Sequence, residues 1–129
     1  MTNPLDLVTE FHETYGAPIK KDGPSIVGDR LKLRLELIRE EYSELIDAVH
    51  QGDIVETADA LGDMVYVIYG MALEFGIPLD KVVEEIHRSN MSKLGIDGKP
   101  IYREDGKVLK GPGYFPPRIQ DVLDNSSRV

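Results

Sequence analysis

Two long stretches with helical apolar spacing are separated only by Gln51-Gly52-Asp53, and this link constrains the fold more than any other feature. The first stretch runs from Ser25 or Asp29 to His50. Leu31, Leu35, Ile38, Tyr42, Leu45 and Val49 recur there at alternating steps of four and three. The second runs from Ile54 to Phe75, with Ala58, Leu61, Val65, Ile68, Ala72 and Phe75 at the same spacing. Such steps place one apolar seam along each helix, as bundle packing requires. Gly52 suits the end of the first helix. Asp53 suits the N-cap of the second, with Glu56 completing a capping box. So short a link makes the two helices antiparallel neighbours.

The rest of the chain predicts two more helices and an irregular tail. Leu5, Val8, Phe11, His12 and Tyr15 form a stripe over Pro4 to Tyr15, ended by Gly16 and Pro18. Pro78 and Asp80 open a further helix to Met91, with Leu79, Val82, Val83 and Ile86 on one side. Beyond Lys93 the helical period is lost. Ile101-Tyr102-Arg103 and Lys107-Val108-Leu109 flank Glu104-Asp105-Gly106, a pattern for a small β-hairpin. Asp124 to Val129 is expected to fray. The prediction is an all-α bundle of four to five helices with an irregular C-terminal tail, forming one domain over residues 1–129. Four short helices leave much of their apolar seams uncovered in a monomer, so a homodimer or a dimer of dimers is expected.

Composition narrows the function. With no cysteine among 129 residues, disulfides, zinc thiolates and thiol catalysis are excluded, and a reducing cytoplasm is the expected compartment. No basic n-region with an apolar run opens the sequence, so no signal peptide is expected. The longest uncharged apolar stretch, Met64 to Leu73, falls short of the roughly 18 residues that a membrane span needs. The net charge of −8 disfavours a nucleic acid polymer, which calls for a basic footprint. A nucleotide remains compatible, because divalent cations can sit between its phosphates and clustered carboxylates.

The carboxylates are placed for that purpose. Glu41 and Glu44 lie roughly 60° apart on one helix, and Asp59 and Asp63 roughly 40° apart on the next. Glu41 is flanked by the seam residues Ile38 and Leu45, so it should turn toward the bundle. Asp63 is the only charged residue between Ala60 and Leu73. A lone carboxylate beside a core is costly unless paired or neutralised, and this helix carries no basic residue. A hard divalent cation with oxygen ligands would satisfy both helices together. Any single Glu-x-x-Glu pair, by contrast, is usually just a solvated helix face. Glu84-x-x-His87 occurs once, too little for a di-iron bundle.

With these residues in view, the chain resembles the all-α nucleoside triphosphate pyrophosphohydrolase superfamily. That group includes MazG-like enzymes, dimeric dUTPases, dCTP pyrophosphatases and phosphoribosyl-ATP pyrophosphohydrolases. Glu40-Glu41-Tyr42-Ser43-Glu44 resembles the first half of its acidic signature, and Asp59-Ala60-Leu61-Gly62-Asp63-Met64-Val65-Tyr66 the second. The similarity extends to Glu10-Phe11-His12, to His87-Arg88-Ser89-Asn90-Met91-Ser92-Lys93 and to Asp105-Gly106-Lys107. There is one departure. If Asp63 takes the signature's final Asp, its Glu falls on Ala60 and Asp59 stands in for it. In the other register, Glu56-Thr57-Ala58-Asp59 is itself Glu-x-x-Asp. The match of Asp63-Met64-Val65-Tyr66 favours the first.

The resemblance implies cleavage between the α and β phosphates of a nucleoside triphosphate, dUTP or a noncanonical dNTP among the open substrates. It implies Glu41, Glu44, Asp59 and Asp63 as ligands of Mg²⁺ or Mn²⁺, with Glu40 or Glu41 as catalytic carboxylates. Arg88, Asn90, Lys93, Lys107, Lys110 and Tyr114 are the candidate substrate contacts. His12, on an apolar face, is better explained as a hydrogen-bonded core histidine. The alternatives are a phosphoribosyl-ATP pyrophosphohydrolase and a non-catalytic helical interaction module.

Overall fold

The computed structural model describes residues 3–126. Its helices are α1 (Pro4–Tyr15), α2 (Leu31–His50), α3 (Ile54–Phe75), α4 (Leu79–Met91) and α5 (Ile119–Ser126). The all-α class expected from the periodicity is therefore correct. No single helix among the described residues is long and apolar enough to cross a membrane. The chain divides between Ile77 and Pro78 into two compact units.

The first unit packs α1 and α2 against α3. The turn between α2 and α3 forms as its residues dictate. Gly52 adopts φ 68°, and the Asp53 carboxylate accepts from the Glu56 N–H at 3.1 Å. The Asp53 N–H goes to the Ala48 carbonyl, so the reciprocal half of the capping box has no role. Arg34, near the start of α2, donates to the carbonyl of Val67 at 2.8 Å and pairs with Glu74 at 3.1 Å. Early α2 thus faces late α3, which confirms the antiparallel hairpin.

Helix α2 starts at Leu31, later than the sequence suggests, and its N-cap Arg30 makes no side-chain capping bond. The preceding residues have another task. The N–H groups of Lys20 and Ser25 donate to the carbonyls of Leu73 and Phe75, both at 2.9 Å. The loop before α2 thereby pairs the Phe75 carbonyl and gives the Leu73 carbonyl a second donor beside the Gly76 N–H. Backbone committed in this way cannot extend α2.

The core of the first unit is small. Val8, Ala48, Ala60, Ala72 and Phe75 are its buried apolar residues, and the two alanines Ala48 and Ala60 flank the turn where the helices meet. Much of each predicted seam stays exposed, including Leu35, Tyr42 and Val49 on α2 and Leu61, Val65 and Ile68 on α3. Polar groups occupy the centre instead. Glu74 is 5% exposed and pairs with Arg34 and, at 2.7 Å, with Arg30. His12 is 3% exposed, and its Nδ1 lies 3.0 Å from the Pro18 carbonyl, as expected of a core histidine.

In the second unit, α5 packs against α4 through a strap. The buried Ser89 hydroxyl donates to the Phe115 carbonyl at 2.8 Å, and the Arg118 N–H donates to Glu85 at 2.6 Å. Between α4 and this strap the chain leaves on a long excursion closed at its neck, where the Gly111 N–H donates to the Lys93 carbonyl at 2.8 Å. A methyl group at Gly111 would collide with the Leu94 carbonyl, so only glycine fits there. The expected hairpin reduces to one isolated antiparallel bridge, Tyr102 to Val108, around the turn at Gly106 (φ 90°). The tail is not irregular throughout. Residues Ile119–Ser126 are helical, which corrects the expectation of fraying for Asp124, Asn125 and Ser126; residues 127–129 lie outside the described part.

Two glycines of α3 separate packing from backbone propensity. A methyl group at Gly70 would collide with the Arg34 guanidinium and lie 3.2 Å from His12 Nε2, whereas at Gly62 it meets open space. Gly70→Ala should lower the free energy of unfolding by about 2–3 kcal/mol, through overpacking and a displaced buried ion pair. Gly62→Ala should raise it by about 0.5–1 kcal/mol, because alanine favours helix. Urea denaturation of the two variants checks both signs.

Candidate metal centre

Three carboxylates converge where α2 faces α3. Glu41, Glu44 and Asp63 each offer an oxygen, and these atoms lie within 4.8 Å of one another. Glu41 and Glu44 are one turn apart on α2 and share a face. Asp63 meets them because the hairpin is held in register at its far end: Arg34 is two turns before Glu41, and Val67, whose carbonyl receives Arg34, is one turn after Asp63. Glu41 and Asp63 are half-buried and Glu44 is exposed.

Like charges so close oppose ionisation. Glu41 is pushed up from its ordinary value to about 6, by burial first and then by the charges of Glu44 and Asp63. Asp63 is also raised, again by burial first and then by Asp59 and Glu44. Glu41 Oε2 is buried with no hydrogen-bond partner. No ion pair reaches Glu41, Glu44 or Asp63 among the described residues. A polar atom desolvated without a partner is costly, and three hard oxygen donors are the ligand set a Mg²⁺- or Mn²⁺-like cation prefers. The residues therefore fit such an ion.

Other predicted residues take different places. Asp59 is exposed and lies outside the trio, although its charge is felt by both Glu41 and Asp63. Glu40 is exposed one turn from Glu44 on α2, and Glu56 sits in the first turn of α3. In the second unit, Arg88 is engaged within its own unit. It makes two bonds to Glu85, at 2.8 and 2.9 Å, and lies 4.4 Å from the centre of the Phe115 ring. Glu85 is correspondingly lowered to about 2, first by Arg88 and then by the Arg118 N–H. Lys110 lies 4.8 Å from the Tyr114 ring centre. Asn90 and Lys107 are exposed, and Lys93 is half-buried.

The positioning residues Arg30, Arg34 and Glu74 were not singled out in the sequence. A signal for them was present. Glu74 is the only charge on α3 after Asp63, and Arg34 interrupts the approach to the α2 seam.

An antiparallel helical hairpin whose facing turns carry converging carboxylates is the arrangement expected from the resemblance to the all-α nucleotide pyrophosphohydrolases. Comparison with known proteins agrees. The family model described as phosphoribosyl-ATP pyrophosphohydrolase matches residues 8–90. The chain belongs to this family, a branch of the all-α NTP pyrophosphohydrolase superfamily. A crystal structure from Exiguobacterium sp. 255-15, described as a candidate NTP pyrophosphohydrolase, is similar over 97% of this chain and 94% of that one, with 28% identity and a TM-score of 0.50. An uncharacterised protein of Acanthamoeba polyphaga mimivirus is 37% identical over 119 residues, which is 89% of this chain. The chain spans 44% of that relative's length.

Protonation should compete with metal. Because the Glu41 pKa is raised on folding, its contribution to stability is present below its ordinary value near 4.5 and is lost as pH rises through about 6. The metal-free protein should therefore lose this contribution between about pH 4.5 and pH 6. Over the same interval Mn²⁺ should bind more tightly, and the rise in Tm it causes should grow. Asp63→Asn should abolish the Mn²⁺-dependent rise. Thermal melts at several pH values, with and without Mn²⁺, measure all three effects.

Proposed function

We propose that this chain hydrolyses a nucleoside triphosphate to the monophosphate and pyrophosphate. The observation that carries the reading is the convergence of Glu41, Glu44 and Asp63, with Glu41 Oε2 buried and unpartnered. These three residues would hold the cation, with Asp59 alongside. When bound, Mg²⁺ or Mn²⁺ supplies charge that offsets the phosphates and polarises the phosphoryl group.

The chain's own groups have separate tasks. Glu40 sits on the outer edge of the carboxylate face, one turn from Glu44, and is placed to accept a proton from the attacking water. The water oxygen bonds to the α phosphorus, the bridging bond to the β phosphate breaks, and pyrophosphate leaves. Without a cation Glu41 is still partly protonated near pH 6, so metal binding there must displace a proton. Arg88, Asn90, Lys93, Lys107, Lys110 and Tyr114 are the proposed substrate contacts, of which Arg88 is bonded to Glu85. The exposed apolar rows of α2 and α3 support a second copy of the chain as partner.

A second reading is favoured by the family model, whose own description names phosphoribosyl-ATP. The same carboxylates would serve it. Deoxyuridine and noncanonical triphosphates remain the first substrates to try.

The test is pyrophosphate release from a panel of dNTPs, NTPs and phosphoribosyl-ATP, with Mg²⁺ or with EDTA. At least one substrate should be cleaved only with metal, and Asp63→Asn should lower its kcat by about 100-fold or more. A folded, metal-loaded sample that cleaves nothing on the panel would refute the enzyme reading and favour a non-catalytic helical module.

A further inference from the structure

Beside the carboxylates, the first unit carries an aromatic patch that its own packing leaves open. Phe11 and Tyr15 on α1 have ring centres 4.6 Å apart, and Phe11 meets Tyr66 of α3 at 5.6 Å with the ring planes at 86°. All three are exposed: Phe11 by 43%, Tyr15 by 72% and Tyr66 by 38%. A perpendicular pair leaves the outer face of at least one ring free for a flat partner.

The position of the patch gives it meaning. Tyr66 follows Asp63 by three residues and Asp59 by seven, so the three share one stripe of α3. Neighbours at that spacing have Cβ atoms about 5–6 Å apart. The aromatic surface therefore begins where the carboxylate cluster ends. A ligand suited to both has phosphates at one end, to meet a cation on the carboxylates, and a flat heteroaromatic ring at the other. In a nucleotide these ends are separated by one sugar, a span comparable to the roughly 5.4 Å pitch of a helix. Stacking also tolerates the acidic surroundings, because a base carries no net charge to be repelled.

We propose that Phe11 and Tyr66 form the platform on which the base of the substrate nucleotide stacks, with Tyr15 at its rim; this rests on the pyrophosphohydrolase reading. Base selection would then begin on α1 and α3, by ring overlap.

The experiment compares wild type with Phe11→Leu and Tyr66→Leu, and with the ring-preserving Phe11→Tyr and Tyr66→Phe. Calorimetry measures binding of Mn²⁺ alone and of AMP and dUMP in its presence. Kinetics measure KM and kcat for a cleaved triphosphate, and the inhibition constant of tripolyphosphate, a competitor with no base. The leucine variants should weaken monophosphate binding and raise KM by about 10-fold or more. Mn²⁺ affinity, kcat and tripolyphosphate inhibition should stay within about threefold, and the ring-preserving variants should behave as wild type. Unchanged nucleotide affinity in folded leucine variants would overturn the platform, as would an equal loss for tripolyphosphate. So would dissociation of an oligomer in step with the lost affinity, since the patch would then be an interface between copies. If wild type binds Mn²⁺ but neither monophosphate, the platform falls and the metal centre stands. If nucleotides bind through Phe11 and Tyr66 but no triphosphate is cleaved, the pyrophosphohydrolase reading fails instead.

Discussion

The ion pair between Arg34 and Glu74 is the interaction on which the rest of the first unit depends. It joins α2 to α3 with both side chains nearly excluded from water, and Arg30 adds a second cation to the same carboxylate. A buried pair of this kind contributes little net stability compared with apolar packing, but losing one partner is severe, because the other charge is stranded. Its value lies in register. Apolar seams that remain mostly uncovered could slide by a turn at small cost, whereas the guanidinium fits only where the Val67 carbonyl and the Glu74 carboxylate meet it. Fixing that end fixes the other, where Glu41 and Glu44 oppose Asp63.

The two clusters are electrostatic opposites. At the Arg34 end the buried carboxylate of Glu74 meets two guanidiniums, those of Arg34 and Arg30. At the Asp63 end no cation faces the carboxylates among the described residues, and burial together with repulsion holds Glu41 and Asp63 above their ordinary pKa values. The hairpin thus couples a paired carboxylate to unpaired ones. Stability is given up locally at three preorganised oxygen donors, as unsatisfied groups at functional centres often require.

Most of the helical framework was legible in the sequence because long amphipathic runs, a three-residue link and glycine stops are local signals. The ends of α1 and α3 followed from Gly16 and Gly76, and the start of α4 from Pro78. The later start of α2 was not legible, since the backbone around Ser25 is claimed by carbonyls fifty residues away. Helix α5 was missed because eight residues after Pro116-Pro117 are too few for periodicity to stand out. In the metal centre, Glu41 and Asp63 could be chosen because each sits against its seam. The separation of Asp59 from the trio depends on the crossing of two helices, which one-dimensional spacing does not encode. The roles of Arg34 and Glu74 are likewise tertiary.

The closed neck at Gly111 has a consequence for how this architecture can diversify. Because the Lys93 carbonyl and the Gly111 N–H seal the excursion at its base, length changes near Glu104 and Asp105 need not propagate into α4 or the Ser89 strap. The segment is an interchangeable cassette on a fixed mount. Descendants of one ancestral scaffold could remodel this surface while their helices stay unaltered.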